Sequence, residues 1–111
     1  MADTPGRIAP IPLNTAYRTL FTVPTATLRL ISEIVVANAD GQQRSIKMSH
    51  VTSDNTNPDV SNSFMWDTPL KAGQVLGMGR GWVFAAGDSL QALADESAVV
   101  VVTVYYIDRA V

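Results

Sequence analysis

The stretch TLRLISEIVVAN at residues 27–38, followed across Asp40-Gly41 by QRSIKMSHV at 43–51, decides the fold class. Leu28, Leu30, Ile34 and Val36 share one parity, which Ser32 interrupts, and Ile46 and Met48 alternate with Ser45, Lys47 and Ser49. A two-residue repeat marks a strand with one buried face and one wet face. Asp-Gly supplies the positive φ that a tight turn requires, so the two segments are expected to pair as a hairpin.

The same punctuation extends in both directions. Upstream, Tyr17 to Val23 is strand-like and stops at Pro24. Downstream, the polar run Thr52 to Asn62 reads as a long surface loop, because Asp, Asn and Pro favour turns. Short strands are predicted at Ser63 to Thr68, Gln74 to Met78, Gly81 to Ala85 and Ser89 to Ala94, and a longer one at Ala98 to Ile107. In that last strand Val99, Val101, Tyr105 and Ile107 lie on one side and Val100, Val102, Val104 and Tyr106 on the other. A strand apolar on both sides is expected at the centre of a sheet, covered on both faces. These eight segments predict an all-β fold, an antiparallel β-sandwich of jelly-roll type spanning residues 17–111.

Residues 1–16 read differently. Pro5, Pro10 and Pro12 oppose a helix or an interior strand, so an extended, proline-rich N-terminal arm is expected. Its Ile8, Ile11 and Leu13 are apolar and should lie against a surface, of this domain or of a neighbouring subunit.

Composition narrows the function. The chain has 111 residues, 47% hydrophobic and 16% charged, with a net charge of −2. Soluble domains carry about 25% charged residues, so part of this surface is expected to be covered by other chains. The basic residues are dispersed, which argues against nucleic acid. With no cysteine there is no disulfide framework or thiol chemistry. The apolar run 98–107 is about half the ~20 residues of a membrane helix, and the N-terminus lacks a signal-peptide pattern, so neither membrane insertion nor membrane export is expected.

Candidate chemistry is sparse. Asp54, Asn57 and Asp59 lack the alternating ligands and distant Glu of a calcium loop, so no metal is expected there. Gly77-Met-Gly-Arg-Gly-Trp82 is followed by a strand and not a helix, so it reads as a tight hairpin or bulge and not as a phosphate cradle. Arg80 and Trp82 at its tip are the residue types enriched in protein interfaces. His50 has Ser49, Thr52, Ser53 and Asp54 close in sequence but no nucleophile elbow, and Glu33 and Glu96 sit in separate segments. No enzyme and no cofactor is expected. Trp66 and Trp82, with Tyr17, Tyr105 and Tyr106, could stack on sugar rings; core packing or a subunit interface is the reading preferred for them.

Several short motifs nevertheless form a pattern. The turn Pro69-Leu-Lys-Ala-Gly-Gln74, the step Ala86-Gly-Asp-Ser-Leu90, the end Ala92-Leu-Ala94, the strand Ile34 to Asn38 and the closing Val-rich strand together resemble small β-sandwich virion proteins of tailed bacteriophages, over residues 17 to 108. The proline-rich arm and the 52–62 loop depart from that pattern. The resemblance implies an architectural role inside a virion assembled in the host cytoplasm: a capsid decoration or cement protein bound to the major capsid protein, with a tail adaptor or fibre-base component as the alternative. Apart from the resemblance, the apolar final strand, the apolar arm and the low charge fraction lead us to expect a homo-oligomer, a trimer or another cyclic ring, in which the Met1 to Thr15 arm reaches a neighbour or the shell. The rival reading is a carbohydrate-binding module for host attachment, carried by Trp66 and Trp82.

Overall fold

The computed structural model describes residues 3–54 and 57–111. Nine strands follow one another: β1 (Thr4–Pro12), β2 (Arg18–Thr22), β3 (Thr27–Asn38), β4 (Arg44–Val51), β5 (Ser63–Leu70), β6 (Val75–Met78), β7 (Val83–Phe84), β8 (Ser89–Ala94) and β9 (Val100–Ala110). A single 3-10 turn, Val60–Asn62, precedes β5, and no α-helix occurs among the described residues.

The strands form two antiparallel sheets. The first has the order β1-β9-β3-β6, with β7 also on β3; the second has the order β2-β8-β4-β5. Because β6 and β7 pair with successive parts of β3, they are one edge strand interrupted at residues 79–82. Counted so, eight strands alternate between the sheets in the order of a jelly roll, two four-stranded sheets packed face to face. The expected fold class is therefore the observed one. Between the sheets lie Ile34, Val36, Val100, Val102 and Val104 from the first and Ile46, Met48, Met65, Leu90 and Ala92 from the second, with Phe84, Leu13 and Leu70 closing the ends.

Several local expectations are corrected. The segments 27–38 and 43–51 are not a hairpin: β3 pairs with β9, β6 and β7, while β4 pairs with β5 and β8 in the opposite sheet. Gly41 has no positive φ; that conformation falls on Gly73, Gly79, Gly81 and Gly87. The reason lies in Asn38, 2% exposed, whose amide donates to the carbonyls of Gln42, Leu70 and Lys71 and whose Oδ1 accepts from Asp40 N–H. It ties the 39–43 connection to the turn after β5, and so guides the chain across the sandwich instead of back along β3.

The shared parity of Leu28, Leu30, Ile34 and Val36 also fails. β3 carries a bulge between Ile31 and Glu33 against β9. One extra residue reverses the facing of everything beyond it. Arg29 and Ile31 therefore point inward with Ile34 and Val36, and Leu28 and Leu30 are left half-buried on the outside.

β9 is interior in its sheet, as expected, but covered on one face only. Val100, Val102 and Val104 are in the core, while Val101, Thr103 and Ile107 are half-buried and Tyr105 is 41% exposed on the other side. Trp66 and Trp82 are exposed by 43% and 37%, so neither is a core residue.

Within the segment 1–16, Thr4–Pro12 forms β1, antiparallel to β9. β1 is an edge strand, which is where proline is tolerated because a missing N–H on the outer side breaks no ladder bond. Gly6 suits that position, because the Tyr106 ring lies where a Cβ would project.

Candidate functional site

The described residues offer three features: two outer sheet faces and one cleft. On the outer face of the first sheet, register aligns Pro5, Ile107, Leu30 and Val83 in one rung, and Pro12, Val101, Ala37 and Val75 in another. Thr103 and Val35 lie between. Val75 and Val83 are exposed by 62% and 47%, so the apolar surface reaches the sheet edge. At the middle rung, Arg7 and Glu33 flank Tyr105. Both charges are exposed and neither makes an ion pair among the described residues. The Glu33 carboxylate lies over Gly77, where an added Cβ would be 3.0 Å from Oε2.

The outer face of the second sheet carries Ser45, Lys47, Trp66, Asp67, Gln91 and Leu93. Here charge is neutralised within the chain. Lys47 Nζ lies 4.2 Å from the Trp66 ring centre and 3.5 Å from Asp67 Oδ1.

The cleft, of about 450 Å³, is lined by His50, Ser61, Asn62, Ser63, Phe64, Trp82 and Val83. The break between β6 and β7 builds its wall. Gly79 and Gly81 have φ of 82° and 83°, and Gly81 N–H and Trp82 C=O bond to Ile31. Bulges of this kind re-aim a side chain, and here the Trp82 ring is delivered edge-to-face onto Phe64, with centroids 4.5 Å apart. A side chain at Gly79 would meet the Trp82 ring at 3.1 Å. Opposite, Asp59 caps the 3-10 turn: it accepts from Ser61 N–H and hydroxyl, while its own N–H donates to Asn62 Oδ1. Those bonds from Ser61 hold the Asp59 carboxyl below its ordinary pKa.

His50 does meet an aspartate, but it is Asp88 and not Asp54. Its Nε2 lies 2.8 Å from Asp88 Oδ2, and its ring stacks on Phe84 at 3.8 Å. Asp88 also accepts from the N–H groups of Ser53 and Ala85, so it fastens the start of the 52–62 loop to the turn before β8. The Ser63 hydroxyl bonds to Asp59 C=O and to Ser49, and no serine hydroxyl bonds to His50 among the described residues. The arrangement lacks the nucleophile–base contact that acyl transfer needs.

The remaining candidates separate. Leu13 is fully buried, and Ile8 and Ile11 pack on the core from β1. Arg80 is exposed at the tip of the 79–82 bulge beside Trp82. Asp54 bonds to the Thr52 hydroxyl and Asp59 to its cap, and no group of three potential metal ligands occurs among the described residues. Asn38, Asp88, Arg7 and Glu33 were not singled out from sequence as site residues. Of these, Asp88 alone had a signal, the Ala-Gly-Asp step: Gly87 takes φ 86° and sits where a Cβ would be 2.8 Å from that of Ser53.

The architecture defines a class, the jelly-roll β-sandwich. No protein-family model and no curated protein matches the sequence. Among solved structures, the chain is similar to a pentameric capsid protein isolated from metagenomic phage sequences, with 19% identity and a TM-score of 0.34 over 94% of this chain. A structure of a pentameric capsid protein of the same description, solved by iodide phasing, aligns with 18% identity and a TM-score of 0.32. This chain spans 61% and 62% of their lengths.

Proposed function

We propose that this chain is a non-enzymatic structural protein of a bacteriophage virion, and more narrowly a decoration or cement protein that oligomerises and binds the major capsid protein of a tailed phage. The observation that carries this reading is the outer face of the first sheet: an apolar surface with two charges that make no ion pair among the described residues, on a fold type that recurs in viral capsid domains. A free monomer rarely leaves such a face open, and subunits that stay assembled bury one. The homo-oligomer is cyclic, a trimer or another ring, and Arg80 and Trp82 on the bulge reach a neighbouring protein. The N-terminal segment supports assembly by covering the β9 edge of the first sheet, with Ile8 and Ile11 seated on the core.

The test is the place and copy number of the chain in particles of the phage that encodes it, by quantitative mass spectrometry and cryo-microscopy. Density at repeated positions on the capsid lattice is the expected result. A single ring at the tail would replace cement with tail adaptor or fibre base, and absence from particles would overturn the proposal.

A second reading is favoured by the cleft. An exposed Trp beside Asn, Ser and His side chains, without a charged lining, suits a neutral sugar ring, and jelly rolls also recur in lectins. Host-glycan binding that is lost in Trp82→Ala, with the melting temperature unchanged, would establish attachment as the function.

A further inference from the structure

The two charges on the first sheet that make no ion pair among the described residues have a fixed arrangement. Arg7 of β1 and Glu33 of β3 both pair in register with Tyr105 of β9, one on each side. Adjacent strands are ~4.8 Å apart, so the two backbones stand roughly 10 Å from each other with the tyrosine between. The rungs through Ile107 and through Val101 contain no charge.

We propose that this face is the contact of a twofold dimer, with the axis running parallel to β9 above Tyr105. Rotation about that axis keeps each rung over itself and exchanges β1 with β3. Arg7 then lies over the partner's Glu33, and Glu33 over the partner's Arg7, so one interface contains two opposite-charge pairs. The same operation sets Leu30 over the partner's Pro5 and Val101 over the partner's Val101, apolar on apolar, while Arg109, one rung beyond Ile107, comes over the partner's Arg109 with each already neutralised by Asp3 of its own chain. A twofold axis perpendicular to the strands would instead set Arg7 over the partner's Arg7, like charge on like charge.

The charge pattern thus selects the second copy and its direction. Sheets that stack face to face align within about 30°, which an axis along the strands permits. Gly77 has no side chain, which leaves the space that the exposed Glu33 carboxylate occupies. Twofold rings are the commonest closed assemblies, and their contacts are reciprocal in this way. The inference rests on the homo-oligomer part of the reading above, for which it selects a ring of two over a trimer, and is independent of the phage assignment.

The experiment is sedimentation equilibrium of the full chain at low salt, for wild type, Arg7→Glu, Glu33→Arg and the double exchange. Both side chains are exposed, so circular dichroism and melting should show all four proteins folded. Wild type should be dimeric. Each single variant creates two like-charge pairs and should weaken the dimer roughly tenfold or more, and the double variant should restore it. Salt should narrow the differences, since the Debye length is about 10 Å at 0.1 M. A monomeric wild type would overturn both this dimer and the homo-oligomer reading. An oligomeric wild type indifferent to either single exchange would overturn the dimer alone. Weakening by each exchange without recovery in the double variant would overturn the Arg7–Glu33 pairing.

Discussion

The two outer faces of this sandwich come from the same chain and similar strands, yet they treat charge in opposite ways. On the second sheet, Lys47 lies over Trp66 and beside Asp67, so the exposed aromatic is shielded and the cation is neutralised. On the first, Tyr105 and the edge valines stand open, an Asp3–Arg109 pair closes one end, and Arg7 and Glu33 make no ion pair among the described residues. A face finished with its own charges is suited to water. A face whose charges are separated by register is complementary to another surface, and this contrast is what suggests assembly through one side only.

The contrast can be broken most severely at the β3 bulge. Deleting Ser32 would remove the extra residue, turn Leu28 and Leu30 inward and expel Arg29. Arg29 is 5% exposed, holds Asp108 through two bonds of 2.7 and 2.9 Å, and stacks on Tyr106 at 3.8 Å. Loss of a buried pair of this kind costs about 3–5 kcal/mol, to be read as a lower urea midpoint. An unchanged midpoint would show that the bulge does not set the two faces.

A smaller effect sharpens the comparison from the other side. Lys47→Ala should cost about 0.5–1 kcal/mol, since the pair it breaks is partly exposed. It should leave sedimentation unchanged, unlike Arg7→Glu. A change in oligomer size would mean that the second face takes part in assembly.

The smallest effect concerns pH. The Arg109 guanidinium hydrogen-bonded to Asp3 holds that carboxyl below its ordinary value. The folded pKa is therefore lower than the unfolded one. The stabilisation is present above the ordinary aspartate value of about 4 and is lost as pH falls through the folded value. Because this pair fastens the start of β1 to the end of β9, acid should loosen the first sheet's edge. Hydrogen exchange in β1 amides should rise on acidification more in wild type than in Asp3→Asn, after correction for intrinsic rates.

Much of this architecture was legible in the sequence. All eight predicted strands are present within a few residues of their expected bounds, and the Gly77 to Trp82 segment is a bulge of the kind its glycines suggest. The site was less legible. Arg7 and Glu33 are ordinary charged residues until register brings both against Tyr105, and His50 had several polar neighbours in sequence but took Asp88, thirty-eight positions away. Leu13 read as an arm contact because its burial depends on β9 and β8, to which Leu13 and Asn14 bond through Val100, Ala98 and Ala94.

What the sequence determined by itself is therefore local: strand-forming segments, turn positions, the exclusion of prolines from interior strands, and a charge content below that of most soluble domains. These follow from backbone sterics and hydrophobic periodicity, which act between near neighbours. The tertiary structure alone decided which strands pair, that β3 and β4 part into different sheets, and which face each residue of β3 presents. Those choices depend on hydrogen-bond partners distant in the chain, such as Asn38 with Leu70, and on one extra residue at Ser32 that a two-residue repeat cannot reveal.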